Sequence, residues 1–188
     1  MVKDEKRLRQ YFEVDYNYCL RCKSLMEFRH IDHKQVLACV SCDFKFWNNP
    51  RPVVSRIILI DGSVLLIKRA KDSFKNYWAL PGGIIDIGEE PSEAVEREVL
   101  EETGITVTAD SVFDTYCIRF APNGPDQQPS YVSIDIVFVM DATKINPSTL
   151  SLTPTEEALE IQLYKPTNLP SKIAFGHRNI IHSYFNRL

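Results

Sequence analysis

Apolar and polar positions change rhythm twice along the chain. Residues 1–13 are charged and carry few apolar side chains, which predicts a short or frayed helical lead-in. Residues 14 to about 48 alternate in runs that suit two small hairpins, too small to be stable on apolar burial alone. From Val53 the pattern becomes a continuous β-branched run ending at Ile60, which predicts a buried strand. Asp61-Gly62 is a hairpin turn signal, and Val64 to Lys68 return as its partner. Polar loops follow over 70–78 and from Leu80. Residues 91–103 then adopt the helical period, with Ala94, Val95 and Val99 on one face, Pro91 in the first turn and Gly104 as the stop. Further strands are expected at 105–108, 112–120, 131–140 and 159–164. A last helix is expected over 176–188, with Ile180, Ile181, Tyr184, Phe185 and Leu188 on one side. Strands with one central and one terminal helix define an α/β or α+β fold.

Asn48-Asn49-Pro50-Arg51-Pro52 disfavours helix and fixes an extended or turning path. It divides the chain into an N-terminal module, residues 1–48, and a larger domain, residues 49–188. The 188 residues are 44% hydrophobic and 25% charged, an ordinary soluble composition. A net charge of -3 excludes a global basic field that would attract nucleic acid. No apolar run reaches the length of a membrane span, and no apolar stretch follows the charged start as in a signal peptide, so a cytoplasmic location is the expectation.

The most informative stretch is GIIDIGEEPSEAVEREVLEETGI, Gly83 to Ile105. Glu98, Glu101 and Glu102 stand at i, i+3 and i+4, on one helical face. Like charges so placed repel, and an oxygen-only ligand set suits a hard cation, Mg2+ or Mn2+. Glu89 precedes the helix and is placed to return to the same ion. Arg97 has Glu93, Glu98 and Glu101 within a turn and is positioned to hold one of them in a single rotamer. Gly82 and Gly83 permit close backbone approach, so that a main-chain carbonyl at Gly82 completes the metal shell.

The spacing is that of the Nudix box: Gly83, five residues, Glu89, seven residues, Arg97-Glu98, Val99, one residue, Glu101-Glu102, one residue, Gly104 and Ile105. The chain therefore resembles the Nudix hydrolase superfamily. Tyr77 to Gly83 look like the family's approach to the box, and Asn168-Leu169-Pro170 with Ala174 to Arg178 look like its C-terminal end. The resemblance covers roughly residues 50–188. It implies a mixed β-sheet sandwiched between α-helices, and attack of water on a phosphorus of a nucleoside diphosphate linked to another moiety. Divalent ions would neutralise the phosphates and acidify a bound water. By this resemblance Glu98, Glu101 and Glu102 bind the metal, with Glu98 a candidate base. In some members a late loop supplies the base, and Glu156 and Glu157 occupy such a place.

Cys19-x-x-Cys22 and Cys39-x-x-Cys42, with sixteen residues between the inner cysteines, have the spacing of a closed four-thiolate zinc site. Two such knuckles on facing hairpins make a small all-β zinc ribbon whose folding energy comes mostly from structural Zn2+. Two disulfides or an iron–sulfur site are the alternatives. His30 and His33 read as surface residues. Arg21, Lys23, Arg29, Lys34 and Lys45 are offset by Glu27, Asp32 and Asp43, so nucleic acid is the less favoured partner for the ribbon; packing on the catalytic domain or on a second copy in a homodimer fits as well. A ribbon ahead of a Nudix domain is also the layout of NADH pyrophosphatases, but their proline-rich segment after the box is missing here. The C-terminal end looks more like the ADP-ribose pyrophosphatase branch. Hydrolysis of ADP-ribose or a related nucleotide is the leading expectation. NADH or RNA-cap hydrolysis, or an RNA- or partner-binding role for the fold, stands as the alternative. Arg69, Phe74 and Trp78 are candidates for substrate contact, through phosphate pairing and base stacking respectively. Core packing competes for Trp78. Phe46 and Trp47 are expected to pack the ribbon on the larger domain, and Cys117 to be a buried thiol.

Overall fold

The computed structural model describes residues 16–71, 73–108, 111–120, 131–141 and 155–188. The lead-in over 1–13 lies outside them. The described residues fall into two compact units, one comprising residues up to Pro50 with 119–132, the other comprising 51–118 and 133–188.

The first unit is built on β1 (Met26–Ile31), β2 (Lys34–Cys39) and β3 (Lys45–Phe46), an antiparallel sheet in the order β1-β2-β3. Asp32 and His33 turn the first hairpin with positive φ, 47° and 62°. That is the mirror-image turn geometry that matches strand twist. The small core is Cys19, Met26, Leu37 and Cys39 with Tyr16, Phe28 and Phe46 packed on it. Phe46 thus serves the ribbon's own core, 4.4 Å from Tyr16 ring to ring, while Trp47 is 44% exposed.

The larger sheet, most of it in the second unit, is mixed, in the order β10-β5-β4-β9-β8. It comprises β4 (Arg51–Ile60), β5 (Ser63–Arg69), β8 (Ser111–Phe120), β9 (Tyr131–Asp141) and β10 (Ala158–Tyr164). Short β6 (Trp78–Ala79) adds to β5, and β7 (Gly82–Ile84) adds to β4. β4 runs parallel to β9 and antiparallel to β5. The expected β-turn between them is formed by Asp61 and Gly62, with φ of 49° and 67°.

Strand alternation then decides which helix covers which face. Val54, Ile58 and Ile60 of β4 and Leu65 and Ile67 of β5 meet Ala94, Val95 and Val99 of α1 (Pro91–Thr103). Ile57, Leu59, Val64 and Leu66 point the other way and meet Ile180 and Ile181 of α2 (His177–Phe185). The result is the expected mixed sheet between helices, an α+β arrangement.

α1 begins at Pro91, and the Glu93 carboxylate accepts the Glu90 N–H at 3.0 Å. It ends where Gly104 turns left-handed, φ 71°, and donates to the Leu100 carbonyl. Its last turn carries no basic residue.

Three expectations need correction. Residues 105–108 are not a strand: Ile105 and Val107 are buried in an irregular segment, and the Thr108 carbonyl accepts from the Arg56 side chain of β4 rather than from a strand backbone. Leu188 lies beyond α2 and is exposed. Cys117 is exposed as well, because Tyr116 and Ile118 take the inward parity of β8.

Candidate active site

α1 presents its acids unevenly. Glu98 and Glu102 extend the stripe begun by Ala94 and are buried, 9% and 4% exposed, whereas Glu101 is exposed. Two features of the glycine turn before the box allow this. Gly82 has φ 146° and lies so close to β4 that a side chain there would overlap the Val54 carbonyl. A Cβ on Gly83 would overlap the Glu98 carboxylate itself. The bare backbone therefore makes the cradle in which the two acids sit. The Gly82 N–H donates to Glu102 Oε2 at 2.8 Å.

Arg97 organises the rest. Its Nε and Nη2 donate to the two oxygens of Glu89 at 2.8 and 2.9 Å, a bidentate pair. Nη1 donates to Glu98 Oε1 at 2.8 Å and to Glu101 Oε2 at 3.3 Å, and Nη2 also reaches the Ile84 carbonyl. Glu93, one of the neighbours weighed for Arg97, is instead spent on the helix start. Glu89, expected at the ion, has both oxygens on Arg97 and one also on the Asp86 amide. These hydrogen bonds, Arg97's first, hold the Glu89 carboxyl down at about 2.

The buried acids move the opposite way. Burial pushes Glu102 up to about 8, against the Gly82 hydrogen bond and with help from the nearby Glu98 charge. Burial also raises Glu98, opposed by Arg97. Paired buried carboxylates raised in this manner are what a divalent cation relieves, and the all-oxygen donor set fits Mg2+ or Mn2+.

The residues around this pair come from the end of β5 and the turn before β10. Thr155 Oγ1 donates to the Glu102 carbonyl at 3.4 Å and accepts the Glu157 and Ala158 amides, while the Ala70 N–H donates to the Glu157 carbonyl. Glu157 is thereby brought close enough to raise both Glu98 and Glu102 electrostatically, and Arg69 close enough to lower Glu102. Lys71 Nζ donates to Glu157 Oε1 and is raised by that bond first, then by the charges of Glu157, Glu98 and Glu102. Glu156 is exposed.

Arg69 also donates from Nε to the Ser73 carbonyl and lies over the Phe175 ring, 4.7 Å from guanidinium carbon to ring centre. Phe74 packs edge-on against Tyr77 and Phe175. Trp78 is 8% exposed and packs edge-on against Tyr164. It belongs to the core rather than to a stacking surface.

Sequence reasoning missed a buried polar group on the α2 side of the sheet. Ser55 Oγ donates to Asp135 Oδ2 at 3.0 Å, and His177 Nε2 stands 3.7 Å from the same oxygen. The signal was present as polar side chains inside apolar strand runs, Ser55 after Val53-Val54 and Asp135 between Ile134 and Ile136.

In the ribbon the four cysteine sulfurs lie within 4.8 Å of one another. Sγ separations of 3.7 Å for Cys19–Cys42, 3.4 Å for Cys22–Cys39 and 3.5 Å for Cys22–Cys42 are far beyond a disulfide bond. They approach the roughly 3.8 Å edge of a tetrahedron built on Zn–S bonds of about 2.3 Å. The Arg21 amide donates to Cys19 Sγ, and the Ser41 and Cys42 amides donate to Cys39 Sγ. The cluster fits a zinc ribbon.

Comparison with known proteins defines the family. The NUDIX domain family model matches residues 50–184. An ADP-ribose pyrophosphatase of Methanocaldococcus jannaschii is 36% identical over 141 residues, 75% of this chain and 76% of that protein. The protein belongs to the Nudix hydrolase family. Its fold is shared with a NUDIX hydrolase from Nitrosomonas europaea, with a TM-score of 0.62, 23% identity, and 90% of this chain and 93% of that one covered. It is also shared with a bifunctional NMN adenylyltransferase/ADP ribose pyrophosphatase from Francisella tularensis, crystallised with AMP and a Mn ion. There the TM-score is 0.55, identity is 22%, and the match covers 75% of this chain but only 42% of the longer protein.

Proposed function

We propose that this hydrolase cleaves the pyrophosphate link of ADP-ribose or a closely related nucleoside diphosphate derivative, releasing two monophosphates. The buried Glu98–Glu102 pair in its glycine cradle carries the reading, and the 36% identity to an ADP-ribose pyrophosphatase supports the substrate. Glu98, Glu101 and Glu102, with a main-chain oxygen of the Gly82 turn, would hold Mg2+ or Mn2+. When bound, that ion neutralises phosphate charge and acidifies a water. Glu89 positions Arg97, and Arg97 in turn fixes the rotamers of Glu98 and Glu101. Glu157 accepts the proton of the attacking water: it sits within electrostatic reach of both buried acids, and Lys71 holds it in place. Arg69 meets a substrate phosphate, and Phe74 stands beside it for the base. Cys19, Cys22, Cys39 and Cys42 would hold a structural Zn2+.

The test is a screen of ADP-ribose, NADH, dinucleoside polyphosphates, nucleotide sugars and nucleoside triphosphates with Mg2+, scored by nucleotide product. AMP and ribose 5-phosphate from ADP-ribose is the expected outcome. Preferential release of pyrophosphate from triphosphates would overturn the substrate assignment. Glu98→Gln and Glu102→Gln should lower turnover by about 100-fold or more and weaken Mn2+ binding, whereas Glu157→Gln should lower turnover with Mn2+ affinity kept.

A further inference from the structure

We propose that His177 is a positioning residue for the ion-binding carboxylates, acting through the backbone of the Leu80–Gly83 turn. The proposal rests on the reading of Glu98 and Glu102 as metal ligands. His177 opens α2 and is 5% exposed. Its Nδ1 accepts the Leu80 N–H at 2.9 Å, a bond between residues 97 apart in sequence. Accepting at Nδ1 leaves the ring proton of the neutral histidine on Nε2, which faces Asp135 Oδ2. Asp135 in turn receives the Ser55 hydroxyl, and Ser55 is the β4 residue paired with Gly82.

The turn is thus fixed at two points by one buried group, at Leu80 by His177 and at Gly82 through the Ser55 strand. The Gly82 amide, two residues past Leu80, is the donor to Glu102, and Gly83 is the surface against which Glu98 rests. The segment leading into α2 adds a third tie. Trp78 N–H donates to the Lys172 carbonyl, and Ala174 N–H donates to the Trp78 carbonyl. Displacing Leu80 therefore displaces the cradle.

A serine, an aspartate and a histidine in one place invite comparison with a nucleophilic triad, but the wiring differs. Ser55 donates to the aspartate, the histidine Nδ1 is filled by a backbone amide, and all three residues are buried. The hydroxyl faces a buried carboxylate rather than a histidine nitrogen, so the group orients and does not attack.

The full-length protein supplies the test, in His177→Leu and His177→Asn variants. Asparagine keeps an acceptor near the place of Nδ1, and leucine does not. Three quantities are read: amide hydrogen exchange at Leu80 and Gly82 by NMR, Mn2+ affinity by EPR, and kcat and KM for ADP-ribose. In His177→Leu, exchange at both amides should speed up, and Mn2+ affinity and kcat should each fall about 10-fold or more, as for other residues supporting metal ligands from behind. KM should stay within about twofold, and His177→Asn should recover most of the loss. Wild-type Mn2+ affinity in His177→Leu despite faster Leu80 exchange would overturn the proposal, as would equal damage in both variants. If His177→Leu does not fold, Asp135→Asn carries the same expectation with a smaller effect, and unchanged Mn2+ affinity there overturns it. Absence of Mn2+ binding by the wild-type protein would instead remove the metal-site reading, and the proposal with it.

Discussion

The two adjacent glycines of the cradle differ in what a methyl group would strike, and that separates stability from activity at single residues. Gly82→Ala forces a side chain into backbone at φ 146°, so it should cost about 2–4 kcal/mol in denaturant unfolding. Gly83→Ala meets only the tip of Glu98, which swings aside. Its melting temperature should therefore move little while turnover drops about 10-fold or more. The acids themselves predict a pH effect. Folding raises Glu102 from an ordinary 4.5 to about 8, so between those values the native state binds more protons than the unfolded chain. Stability from this group is present below about 4.5 and is lost as pH rises through about 8. Metal-free protein should thus melt lower at pH 8.5 than at pH 5.5, with a smaller drop in Glu102→Gln, and Mg2+ should restore more stability at the higher pH. Equal pH slopes for wild type and Glu102→Gln would contradict the assignment.

At the scale of elements, α1 was readable because every cue agreed: apolar period, proline at the start, glycine at the stop, and acids at i, i+3 and i+4. Its anchoring can be checked directly. Val99 is fully buried against the sheet, so Val99→Ala should destabilise by about 1–3 kcal/mol in chemical denaturation. Gly104→Ala, which strains the left-handed stop, should cost about 1 kcal/mol. Residues 105–108 were misread because an apolar alternation says that a segment is half-buried, not that a strand lies beside it. The Ser55–Asp135–His177 group was illegible for another reason. Ser55 stands 80 residues before Asp135 and His177 follows 42 residues after it, and only the fold of β4 beside β9 under α2 brings them together. The pairing of Glu89 with Arg97 was hidden likewise, since Arg97 had several acids within reach and the choice is made by the path of the loop.

The whole molecule joins two sites of opposite chemical hardness, carboxylates and thiolates. The box spacing groups the acids and the cysteine spacing groups the sulfurs, because each fixes a local geometry within a short stretch of chain or a hairpin pair. Selective removal should separate them. Dialysis against a chelator, followed by Mg2+ alone, should refill the proposed carboxylate site but leave the ribbon without zinc. Its tyrosine and phenylalanine packing should then loosen in near-ultraviolet circular dichroism while the helices persist. Metal analysis should find one zinc per chain in the native protein and less in Cys39→Ser.

The uneven burial of the four sulfurs has a further consequence. Cys19 and Cys39 are shielded, Cys42 is half-covered and Cys22 faces solvent. An oxidant or alkylating reagent approaching the ribbon therefore meets Cys22 first, and with zinc bound, loss of that one ligand would open the coordination sphere from outside. Damage should spread from the rim inward, with the shielded pair modified last.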